Sequence, residues 1–177
     1  MGDSPSARRE GQEQRPTLLL VVFAWDMVSA LLAVFEALAP FAGGVAVGAQ
    51  QQEIPLGIQV LGALAPAAYG TALIILASLI TRRQRWIQRT QIGTLALAVA
   101  LQGVALVIAV FRGGVDIVPV LTTLLIVLLN IMAIVVMTER RVSAWYTESA
   151  PTPRYMTGTL GFWLATDAAL LVIAAVR

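Results

Sequence analysis

TLLLVVFAWDMVSALLAVFEALA, residues Thr17 to Ala39, is the stretch on which the fold turns. Twelve of these residues are Leu, Val or Phe, and the length matches the roughly 20 residues that carry a helix across a hydrocarbon core. Yet the run holds two carboxylates, Asp26 and Glu36. On the insertion scale its apolar residues are worth roughly −4 to −7 kcal/mol, against about +3 kcal/mol for a central Asp26, so it inserts with its acid. A signal-peptide reading is disfavoured by that length, by Asp26, and by Pro40 directly after the small-residue site Ala37-Leu38-Ala39. The run is expected to be retained as a span.

Four further blocks repeat the pattern: Leu56–Ile80, Gln91–Phe111, Ile117–Met137 and Thr159–Val176. Of the 177 residues 58% are hydrophobic and 12% charged, with the apolar residues gathered into span-length runs. Backbone groups find no water in a bilayer, so such runs must be helices. The expected fold is an all-α integral membrane protein of five transmembrane helices. Residues 1–16 form a polar, mobile tail and residues 17–177 a single transmembrane domain. The fifth block is the weakest: eight Leu, Ile, Val and Phe residues give roughly −2 to −5 kcal/mol against a similar cost for Asp167, near break-even.

All twelve basic residues are arginine, and their placement sets orientation. The tail, the second loop and the fourth loop carry ten of them, with only Arg112 and Arg177 on the other side. By the positive-inside rule the N-terminus is expected to be cytoplasmic and the C-terminus outside. The formal charge of +2 is a topology signal and no nucleic-acid footprint. Arginine without lysine, with abundant alanine, is the usage of a GC-rich genome and points to multi-pass insertion in a bacterial inner (plasma) membrane. The chain lacks histidine and cysteine, the commonest ligands of haem iron, iron–sulfur clusters and zinc, so neither a metal centre nor another cofactor is expected.

With each span's midpoint at the bilayer centre and 1.5 Å of rise per residue, five polar side chains come to nearly one depth: Asp26, Tyr69, Gln102, Asn130 and Asp167. Glu36 lies roughly 12 Å further out, within reach of the outer interface. Ala30, Ala33 and Ala37 share the face of Asp26, a stripe that lets another helix approach closely. No basic residue exists at that depth. Desolvation therefore favours neutral carboxyls, hydrogen-bonded to Gln102, Asn130 or Tyr69. Two readings of the layer stay open: a contact between helices or subunits, and a proton or ion site.

Other motifs are weaker. Arg82, Arg83, Arg85 and Arg89, with Arg140 and Arg141 after the fourth span, orient the chain and can also meet anionic lipid headgroups. Trp86, Trp145, Tyr146 and Tyr155 suggest an aromatic belt at the same interface. Gly44-xxx-Gly48 falls in a connection, and Arg112–Asp116 permits a tight turn between spans three and four. No nucleophile–base pair can be drawn, so an enzyme is not expected. The expected function is a non-catalytic subunit of a larger membrane complex, energy-transducing by type, partnered by lipids and other integral membrane subunits and by no nucleic acid. The alternative is a small proton- or cation-coupled transporter or channel using Asp26 and Asp167.

Overall fold

The computed structural model describes residues 16–41, 55–111 and 117–176, so the tail, the Gly44-xxx-Gly48 connection and the Arg112–Asp116 turn lie outside the described residues. Six α-helices follow one another: α1 (Leu18–Leu38, extended by a 3-10 turn over Ala39–Phe41), α2 (Leu56–Leu79), α3 (Arg85–Phe111), α4 (Ile117–Thr138), the short α5 (Arg140–Trp145) and α6 (Arg154–Val176). The five other than α5 are long and apolar enough to cross a membrane. Their outward faces expose Leu31 and Phe35 on α1, Leu121, Leu128 and Val135 on α4, and Val172 on α6. A water-soluble surface rarely carries such continuous apolar area. This is the architecture of a multi-pass membrane protein.

Two boundaries move inward from the hydropathy reading. Helix α3 starts at Arg85 and α6 at Arg154, ahead of the apolar blocks at Gln91 and Thr159. In the first turns of α3, Trp86 and Ile87 are buried while Arg85 and Arg89 stay exposed, an amphipathic start that a hydropathy window averages away. Pro153, just before α6, suits its position, because a helix's first turn needs no donor from that residue.

The long helices pack in the order α1, α2, α6, α3, α4 and back to α1, with a lighter contact between α2 and α3 across the ring. The five thus close into a ring, with α3 and α4 as the expected antiparallel hairpin. The closest approach is between α1 and α2. A Cβ built on Gly70 would stand 3.2 Å from the Ala33 Cβ and 3.3 Å from the Ala30 carbonyl oxygen. Much of the small-residue stripe of α1 is therefore used within the chain, where it lets two backbones meet without bulky side chains between them.

The arginine-rich end of the ring is solid. Leu19, Val22, Leu76, Ile80, Ile87, Met137 and Met156 form one buried core with Trp86 and Tyr146. The Tyr146 hydroxyl donates to the Ile80 carbonyl at 3.1 Å. Two of the four expected belt aromatics, Trp86 and Tyr146, are therefore core residues, while Tyr155 is exposed. Trp145 keeps a surface role, with the Arg83 guanidinium 4.3 Å from its ring centroid. Two backbone hydrogen bonds, Arg85 to Glu148 and Glu148 to Arg83, each 2.9 Å, join the loop before α3 to the loop before α6. Gln88 donates to the Met137 carbonyl at 2.7 Å and to Ser143 Oγ at 2.9 Å, fastening α4 and α5 to α3.

The α1–α2 contact gives a direct test. Gly70→Val should cost about 1–3 kcal/mol through overpacking, read as a lower thermal midpoint in mild detergent. Gly103→Val should leave the midpoint nearly unchanged, because a Cβ there meets nothing within 4 Å. Equal effects would remove the crossing as the tight point of the bundle.

Candidate functional site

Above the solid end the ring is hollow. A cavity of about 320 Å³ is lined by residues from all five long helices. Ser29, Ala33 and Glu36 come from α1, Gly62, Pro66 and Tyr69 from α2, Ala98 and Gln102 from α3, Ile126 from α4, and Trp163 and Asp167 from α6. Most of these positions lie in the half of their helix away from the arginine-rich loops, with Tyr69 and Trp163 just on the near side of the middle. Small residues on α1 and α3 leave the space open. Pro66 contributes differently: lacking an N–H, it cannot serve the Gly62 carbonyl one turn earlier, so the α2 wall offers an acceptor that its own helix does not satisfy.

The side chains facing this space form a compact chemical set. Tyr69 and Trp163 stack with ring centroids 4.9 Å apart and planes tilted by 33°. Trp163 is held on a turn whose backbone carbonyl, with that of Phe162, accepts from the Thr166 hydroxyl at 2.9 and 3.0 Å. Glu36 from α1 and Asp167 from α6 both line this space. Gln102 adds a side-chain oxygen with no hydrogen-bond partner among the described residues. Those described lining residues include no arginine.

Beneath the cavity lies a polar floor. Gln91 Nε2 donates to Asp26 Oδ1 at 2.7 Å, both residues fully buried, and this bond spans the ring interior from α3 to α1. Trp25 Nε1 donates to Asn130 Oδ1 at 2.8 Å and ties α1 to α4. Ser29, three residues beyond Asp26, lines the cavity roughly 4.5 Å higher along α1, which puts the Asp26–Gln91 pair just under it. Tyr69 stands between the two levels, within electrostatic reach of both Asp26 and Glu36.

The five-residue layer expected from the sequence thus separates into two groups. Asp26 and Asn130 belong to the floor, and Tyr69, Gln102 and Asp167 belong to the cavity. The donor to Asp26 is Gln91 instead of Gln102, Asn130 or Tyr69; depth alone misassigned it because Gln91 reaches from more than a turn nearer the arginine-rich end. Glu36, set apart by its depth, joins the cavity group. Its signal was present in the spacing of Ser29, Ala33 and Glu36, which fall on one helical face. Among the arginines, Arg82, Arg140 and Arg141 are exposed, Arg85 donates from Nε to the Tyr146 carbonyl at 3.3 Å, and Arg89 sits at a separate groove.

Compared with known protein families, curated proteins and solved structures, the chain matches none.

The floor makes a prediction about stability. Gln91→Leu leaves a buried carboxyl without its donor and should cost about 1–3 kcal/mol, whereas the pair Asp26→Leu with Gln91→Leu should recover most of that loss. Asp26→Asn keeps an oxygen that accepts from Gln91 and should melt close to the parent. A double-mutant cycle on thermal midpoints in detergent checks all three, and additive losses would show that the two side chains do not act as a pair.

Proposed function

We propose that the chain is a small proton- or cation-coupled membrane carrier whose cavity takes an organic cation, an amine or ammonium with an apolar body. One observation carries the reading: two carboxyls from different helices, Glu36 and Asp167, line one largely apolar cavity with a stacked aromatic pair and no arginine among its described lining residues. A cation placed there meets both carboxyls and can reach the Tyr69 ring, an interaction worth about 2 kcal/mol or more when desolvated. A volume of about 320 Å³ with few polar groups on an apolar wall suits a small organic ligand. Without the cation the same carboxyls are satisfied by protons, so cation entry expels protons and the two species exchange. In this scheme Asp26 holds the floor and the cation ligands are Glu36 and Asp167.

A second reading, a non-catalytic subunit of a larger membrane assembly, rests on the outer face of α6. Gly158, Gly161, Ala165 and Ala168 are exposed there in helical register, and a Cβ added at either glycine meets nothing within 4 Å. Such a smooth face favours helix contacts. It also accounts for how a break-even span is held in the bilayer.

Tetraethylammonium binding to the purified chain, followed by calorimetry in mild detergent, separates the two. The carrier reading expects saturable binding that weakens as pH falls, since protons compete for the same carboxylates. Glu36→Gln and Asp167→Asn should each weaken it by about tenfold or more, with Asp26→Asn close to the parent. Binding untouched by both cavity substitutions would overturn the assignment, and a stoichiometric co-purifying partner without cation binding would favour the subunit.

A further inference from the structure

A second hollow lies on the outside of the ring, between α3 and α6 at the arginine-rich end, with a volume of about 250 Å³. These two helices run side by side with few close backbone contacts. From that end inward the α3 wall presents Arg89, Thr90, Gly93, Thr94 and Leu97, and Trp163 of α6 closes the far side. The order is charge, hydroxyl, space, hydroxyl, hydrocarbon. Thr94 lies five residues beyond Arg89, roughly 7.5 Å along the helix. The residue lines the groove, and its buried hydroxyl has no hydrogen-bond partner among the described residues.

We propose that this groove is a binding site for one anionic phospholipid. The phosphate sits at the exposed Arg89 guanidinium, the glycerol beside Thr90, an ester carbonyl accepts from the Thr94 hydroxyl, and an acyl chain runs over Gly93 and Leu97 against Trp163. The match rests on sequence of chemistry along the wall: a phospholipid presents charge, ester oxygens and hydrocarbon in the same order and over a similar span. A free phosphate would satisfy Arg89 alone and leave the apolar part of the groove and the Thr94 hydroxyl unmet. Trp163 borders both this groove and the inner cavity, so a chain lying here backs the indole that stacks on Tyr69. The site does not depend on what the inner cavity binds.

The test uses the full-length protein, delipidated in mild detergent and titrated with phosphatidylglycerol, with phosphatidylcholine of the same acyl chains, or with inorganic phosphate, following bound lipid by native mass spectrometry and the thermal midpoint. Phosphatidylglycerol should bind one per chain and raise the midpoint more than phosphatidylcholine, with inorganic phosphate inactive. Arg89→Gln should weaken phosphatidylglycerol by about fivefold, the worth of one interfacial cation, towards the level of phosphatidylcholine. Gly93→Leu puts a bulky side chain into the groove from a Cβ that meets nothing within 4 Å, and should abolish binding of both lipids. Thr122→Ala, at an exposed position of α4 outside the groove, should match the parent. Stabilisation by phosphate alone, equal losses in the Arg89 and Thr122 variants, or full binding by Gly93→Leu would each overturn the proposal.

Discussion

A carboxyl deep in an apolar bundle must find its partner on another helix, and the Gln91 donation to Asp26 is the interaction around which this ring is arranged. Helices α1 and α3 are not neighbours in the ring order, so the bond works across the interior and sets how far apart they stand. A long amide opposite a short acid spans a gap that two alanines would leave empty. Two helical turns further out both walls turn small, with Ala33 on α1 and Ala98 on α3 lining the cavity. The hollow begins where the bridge ends.

This accounts for the difference between the two ends. At the arginine-rich end, side-chain volume rises and loops close back on helices through backbone and side-chain hydrogen bonds, so the core there is apolar and fully buried. At the other end the inward faces mix Ala, Gly and Pro with leucines, and the polar groups among them are two carboxyls, an amide and the Ser29 and Tyr69 hydroxyls, with no arginine among the described lining residues. The boundary between the two ends is the floor, and it consists of two side-chain hydrogen bonds, Gln91 to Asp26 and Trp25 to Asn130, of the modest strength typical between membrane helices.

Much of the fold was legible in the chain because hydrocarbon thickness and backbone hydrogen bonding leave few options: apolar runs of span length become helices, and they did so at all five positions. The helix starts at Arg85 and Arg154 were not, since amphipathic first turns at a headgroup boundary look like loops to an average over hydropathy. The mid-membrane polar residues were found by depth, but depth is one coordinate of three. It could not tell that Asn130 turns to Trp25, that Tyr69 meets Trp163, or that Glu36 looks inward, because those depend on the azimuth at which each helix enters the ring. The alanine stripe of α1 was read as a face for another helix, in the same chain or a partner, and Ala30 and Ala33 meet Gly70 of α2. A small-residue face says that something packs closely, and only the helix order says what.

Trp163 draws these strands together. It is buried, it stacks on Tyr69 in the cavity, and its other side borders the groove beside α3. Helix α6 packs chiefly on α2 and only lightly on α3, and at that lighter seam the indole sits with Leu97, Leu101 and Leu160. One aromatic ring is thus a common wall of the cavity and of the groove. The span nearest break-even on its own is the one that supplies this wall, so its packing on α2 fixes the place of both spaces.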